Sequence, residues 1–243
     1  MTDASLQKKP RVWEIDALRG FLILCVILAH ALYCGEFMLG LYRLPVWLNT
    51  FLFVYAGSLF VILSGLSATL GSRSFRRGLI VFACGMLLTL GSAVGVLIGL
   101  LDKAFIIRFG VLHLLGLCMV LYPLLKRLSN VSLLLFGVVV IGLGYWFTTF
   151  TVQTDLLFAF GLRSASFTSG DYFPVFPQLG WFCLGILLGR RLYAEKTTRF
   201  PRVNTSAWPI RALCFLGRHT LPIFVCHLPV VGGIMYGIFL LLH

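Results

Sequence analysis

Charge is what this chain has least of. Only 12% of its 243 residues are Asp, Glu, Lys or Arg, about half the density a soluble surface needs. Hydrophobic residues make up 59%. A soluble globular domain is excluded. Acidic residues are the scarcest, eight against twenty basic ones, so the apolar runs hold almost no carboxylates to orient metal ligands. The seven cysteines (25, 34, 84, 118, 183, 214 and 226) include no CxxC pair. Their spacing fits no zinc site and their odd number no complete disulfide set, so they read as small apolar packing groups. No internal repeat is visible, which weakens a transporter built from inverted halves.

What the chain does have is apolar runs long enough to cross a bilayer. They fall near 14–34, 50–70, 78–100, 105–125, 131–150, 174–190 and 213–241. Pro222 and Pro229 predict a kink in the last one. The expected fold is an all-α, polytopic integral membrane bundle of about seven transmembrane helices. Frequent glycines within the spans fit close helix packing. Basic residues then set the direction. Alternate connectors hold Lys8, Lys9, Arg11, Arg73, Arg76, Arg77, Lys126, Arg127, Arg190, Arg191, Lys196, Arg199, Arg202 and Arg211, against only Arg43, Lys103, Arg108 and Arg163 in the others. The first set is expected inside, with the N-terminus cytoplasmic and the C-terminus outside. The net charge of +12 is thereby a topology signal, and no nucleic-acid partner is expected. Ala29-His30-Ala31 matches a signal-peptidase pattern. Asp16 and Arg19 interrupt the apolar core, however, and six spans follow, so the segment reads as an uncut first helix.

Arg19 and His30 share that first helix with ten residues between them. An ionisable residue at the centre of a membrane helix costs about 2.5–3.5 kcal/mol, so each needs a partner or a task. Eleven steps of helix separate them by about 16 Å, one near a membrane face and one deep. His30 lies about 24 Å in from the basic side, His227 about 21 Å from that side and His113 about 12 Å from the other. In a hydrocarbon core about 30 Å thick, the three imidazoles therefore share one level in the outer half. For each, a structural hydrogen bond to a neighbouring helix is the alternative to chemistry. At the inner side Asp16 and Arg19 are spaced to pair, and Arg218 and His219 open the last span. Charge neutralisation and headgroup contact are one account of these residues. In the other, Arg19, Arg218 and His219 grip the phosphates of a cytoplasmic ligand, since a guanidinium fork matches phosphate geometry.

Asp16-Ala17-Leu18-Arg19-Gly20 followed by His30, with its Arg-x10-His spacing, resembles the start of the heparan-alpha-glucosaminide N-acetyltransferase catalytic-domain family. Through that spacing it also looks like the wider membrane acyltransferases. Further blocks follow in the family's order: Arg108-Phe109-Gly110-Val111-Leu112-His113-Leu114-Leu115-Gly116, then Asp171-Tyr172-Phe173-Pro174. Next come Leu184-Gly185 through Gly189-Arg190, and Leu216-Gly217-Arg218-His219-Thr220 on to His227. The resemblance, as to a bacterial member, runs over about residues 11–235.

The resemblance implies a single transmembrane acyltransferase-like domain at 13–243 behind a cytoplasmic tail at 1–12, in the cytoplasmic membrane. It would move an acyl group, expected to be acetyl, from acyl-CoA to the oxygen or nitrogen of a sugar or other small extracytoplasmic acceptor. Arg19 and His30 match the shared motif. His30 is expected as the base or as a transient acyl carrier, oriented by Asp171, His113 or His227. Arg108 or a second histidine would face the oxyanion. Arg19, Arg218 and His219 would hold the donor's phosphates, and no metal is implied. Expected partners are acyl-CoA, the acceptor, the lipid bilayer and, as an option, a second copy of the chain. A small polytopic transporter or a non-enzymatic membrane subunit is the alternative use of the same residues. The chain departs from the family in having fewer spans than its lysosomal or large bacterial members. The lysosomal branch places Asn where His30 stands, with a reactive histidine further on, and residues 31–50 here contain none.

Overall fold

The computed structural model describes residues 12–40 and 42–242. The tail with Lys8, Lys9 and Arg11, and the terminal His243, lie outside the described residues. Every secondary-structure element assigned among the described residues is a helix. This is the expected answer of an apolar chain that must satisfy its backbone without water. Helix α1 spans Trp13–Leu39. Helix α2 (Val46–Asn49), a π-helical stretch (Thr50–Tyr55) and α3 (Ala56–Leu70) then run on without interruption. Helices α4 (Ser74–Leu97), α5 (Val111–Leu125), α6 (Asn130–Phe147), α7 (Val175–Leu192), α8 (Trp208–Arg218) and α9 (Thr220–Leu242) complete the set.

Among the described residues, five helices are long and apolar enough to cross a membrane: Trp13–Glu36, Val46–Leu70, Ser74–Leu97, Asn130–Phe147 and Thr220–Leu241. Their outward sides stay apolar. On α4, Leu79, Leu87, Leu90 and Leu97 are all exposed, a surface that only lipid covers comfortably. The chain is a multi-pass membrane protein. The other two expected spans correspond to α5, which has 15 residues, and α7, whose second residue Phe176 leaves helical geometry. Phe176 precedes Pro177, and a residue before proline is pushed out of the helical region.

Two boundaries differ from the hydropathy reading for local reasons. The run at 105–125 becomes helical only at Val111, because residues 106–110 pair with the approach to α7. There Gly170 N–H donates to the Ile106 carbonyl (3.1 Å) and Phe173 N–H to that of Phe109 (2.9 Å). The run at 213–241 is two helices, α8 and α9, broken at His219. Pro222 falls in the first turn of α9, where its missing N–H has no intrahelical partner to lose.

Helix α4 packs against α5, α3 and α6 against α7, and α1 against α8 and α9. Several of these contacts are backbone to backbone. A Cβ on Gly65 of α3 or Gly185 of α7 would strike the other helix's main chain, and Gly20 of α1 and Gly217 of α8 stand in the same relation. The core between them holds Ile23, Val61, Leu114, Leu133, Phe182 and Ile186, all fully buried. At one end of the bundle Arg190 donates to the Lys126 carbonyl (2.8 Å), the Leu128 carbonyl (3.0 Å) and Asn130 Oδ1 (2.8 Å). The Glu14 carboxylate there accepts from Thr198 Oγ1 (2.9 Å) and Arg199 N–H (2.7 Å). The opposite end carries the connectors before α5 and α7.

Candidate active site

At the end with those connectors, α1 and α9 bring His30 and His227 into contact. Their ring centroids are 4.8 Å apart with the planes at 76°. His30 Nδ1–H donates to the Val26 carbonyl one turn back (2.9 Å), and His227 Nδ1–H to the Phe224 carbonyl (2.6 Å). A carbonyl oxygen only accepts, so both rings carry their hydrogen on Nδ1 and keep a lone pair on Nε2. His227 Nε2 is buried and has no hydrogen-bond partner among the described residues, the kind of exception that needs an explanation. Phe53, inside the π-helical stretch, lies edge-on to His30 at 6.2 Å, and Tyr33 lies 6.0 Å from Phe53. His30 remains half-exposed.

Asp171 anchors the connector before α7 onto the start of α5, where its Oδ2 accepts from Val111 N–H (2.9 Å). A carboxylate suits a helix N-terminus. Burial pushes the Asp171 carboxyl up from its ordinary value, while the nearby His30 and the Val111 N–H pull it down. Asp171 is thus within electrostatic reach of His30. The neighbouring Tyr172 hydroxyl donates to the Phe158 carbonyl (2.6 Å), and burial raises its pKa to about 12.

His113 is built differently. Its Nδ1 accepts from the Gly110 N–H (3.2 Å), so its hydrogen lies on Nε2, 3.2 Å from Thr89 Oγ1 on α4. Phe109 stacks on the ring at 5.5 Å and Phe82 meets it edge-on at 5.5 Å. His113 therefore caps α5 and ties it to α4. Arg108 is also engaged: its Nη1 lies 3.4 Å from Asp155 Oδ2, and its guanidinium sits over Phe167 at 5.1 Å. Hydrogen bonds from Ser164, and then Arg108, hold the Asp155 carboxyl below its ordinary value.

At the other end Arg19 lies 3.9 Å from Asp16 and lines a small cavity of about 50 Å³. Ser64, Ser67, Ser74 and Arg77 share it. Arg19 and Arg77 feel each other's charge, and two neighbouring cations with serine hydroxyls favour an anion between them. Arg218 and His219 do not join this cavity. Both are exposed, Arg218 Nε donates to the Cys214 carbonyl (2.9 Å), and Arg218 lines a separate depression with Arg211. Sequence reasoning counted Arg77 only as loop charge. The available signal was the repeat of polar residues one turn apart, Ser64 with Ser67 and Ser74 with Arg77, across a short turn.

Among the described residues no three His, Cys, Asp or Glu side chains converge as metal ligands. No curated protein and no solved structure matches the chain. A sequence profile described as "Heparan-alpha-glucosaminide N-acetyltransferase, catalytic" matches residues 11–229. It covers every residue of the histidine pair, the α5 entry and the arginine cavity, and it implies transferase activity at a membrane, with acetyl-CoA the general donor of such enzymes. The chain belongs to the heparan-alpha-glucosaminide N-acetyltransferase catalytic family.

Proposed function

We propose that this protein transfers an acetyl group from acetyl-CoA, entering at the cytoplasmic face, to a hydroxyl or amine of a small acceptor reaching His30 from the other side. The observation that carries this reading is the contact of two imidazoles that both present Nε2 as an acceptor. Two such nitrogens have no hydrogen to share while neutral. Once one ring takes a proton on Nε2, the other can offer its lone pair to that hydrogen, which supports His30 in the role of the base.

The chemistry follows in two steps. His30 Nε2 takes the proton as the acceptor's oxygen or nitrogen bonds to the thioester carbon, and His227 shares the charge of the resulting imidazolium. The tetrahedral adduct then collapses, the carbon–sulfur bond breaks, and the thiolate recovers the proton as free coenzyme A. Asp171 holds the approach to α7 on the start of α5 through the Val111 N–H. Arg19 and Arg77 hold the donor's phosphates at the cytoplasmic end, about 16 Å along α1 from His30. His113 keeps the entry of α5 in place.

The test uses purified protein in sealed lipid vesicles with acetyl-labelled acetyl-CoA and a panel of sugars and amino sugars. Free thiol and acetylated acceptor should appear in equal amounts. Acceptor crossing the membrane with no thiol release would overturn the reading.

A further inference from the structure

Helix α8 presents a second surface with a different chemistry. Trp208, Arg211, Phe215 and Arg218 follow one another at spacings of three, four and three residues, which places them along one edge of the helix. All four are exposed, and with Ala212 they line an open depression of about 380 Å³. The opposite edge is fixed. Cys214 and Gly217 are buried, Cys214 Sγ–H donates to the Trp13 carbonyl (3.4 Å), and Gly217 lies against the Asp16 backbone of α1.

Position sets the level of the exposed edge. Only His219 separates α8 from α9, and α8 packs on the first turns of α1. Both neighbours are among the helices able to cross a membrane. Helix α8 therefore lies where two spans enter the bilayer. Indole and phenyl rings favour that boundary layer, and guanidinium groups match phosphate. The Nε of Arg218 is already spent on the Cys214 carbonyl, which orients its two terminal nitrogens as a fork.

We propose that this edge of α8 is a docking surface for the phosphate headgroup of an anionic phospholipid. Arg211 and Arg218 contact the phosphate, while Trp208 and Phe215 enter the layer beneath it. The surface is separate from the Arg19–Arg77 cavity, so the lipid and the acyl donor do not compete.

The experiment is native mass spectrometry of the full chain in mild detergent, titrated with phosphatidylglycerol or with phosphatidylethanolamine. The wild-type protein should retain phosphatidylglycerol preferentially. The R211Q/R218Q variant should bind it about 30-fold more weakly, since each basic side chain contributes about a fivefold factor at such a surface. The R211K/R218K variant keeps both charges and should retain most of the preference, which separates lipid recognition from misfolding. Equal retention of the two lipids, or retention unchanged in R211Q/R218Q, would overturn the proposal. So would displacement of phosphatidylglycerol by coenzyme A, which would assign the depression to the donor.

Discussion

Every ring nitrogen of His113 has a partner, one the Gly110 N–H and the other Thr89 Oγ1. The rings of His30 and His227 are each held by a single bond, from Nδ1 to a carbonyl of their own helix. All three histidines sit at the same end of the bundle, and two of them, His113 and His227, are almost fully buried. The difference lies in what remains to be bonded. A histidine with both nitrogens engaged is a structural tie, and removing it leaves buried donors and acceptors without partners. Two histidines in contact, each with its Nδ1 bonded and its Nε2 lone pair left over, offer acceptors to a donor from outside the protein.

That contrast can be broken by substitution, beginning with the largest effect. His30→Ala should lower acetyl transfer about 10²- to 10⁴-fold, the contribution of a positioned general base. Thiol release from acetyl-CoA measures it, with helical content by circular dichroism unchanged. His227→Ala should cost about 10- to 100-fold, as expected for losing a hydrogen bond to a charged group worth about 1.5–3 kcal/mol. A loss as large as that of His30→Ala would mean that His227 is itself the base. Arg77→Gln should raise KM for acetyl-CoA about 10-fold, from one charge-assisted hydrogen bond, and leave kcat within about twofold. A fall in kcat at unchanged KM would place Arg77 nearer the chemistry than the cavity suggests. His113→Ala should have the smallest effect on turnover per folded molecule. Its cost should appear as about 1–3 kcal/mol of stability, read as a lower midpoint in thermal unfolding.

Much of this architecture is legible in the residues alone, and the reason is solvent. In a bilayer, hydropathy reports depth, so the long spans and the common level of His30 and His227 follow from run lengths. Depth does not report azimuth. Nothing in the spacing of His113 says that it faces α4 and Thr89 instead of the other two histidines. The same limit hid the division of the basic residues, since Arg19 and Arg218 share a level but line separate surfaces. Local chain chemistry also moved boundaries that hydropathy had drawn. The pairing of residues 106–110 with 170–173 delays α5 to Val111 and carries Asp171 onto the Val111 N–H. The family resemblance pointed to Asp171 as a candidate site residue. Its hydrogen bond to Val111 gives it an anchoring task that no motif conveys.

If the histidine pair is the reactive site, His30 does chemistry while His113 only holds helices. The most direct test measures single-turnover acetyl transfer from acetyl-CoA for His30→Ala and His113→Ala side by side, each normalised to its folded fraction. Near-complete loss is expected in His30→Ala and a near-normal rate in His113→Ala. Turnover retained in His30→Ala, or equal losses in the two, would contradict it.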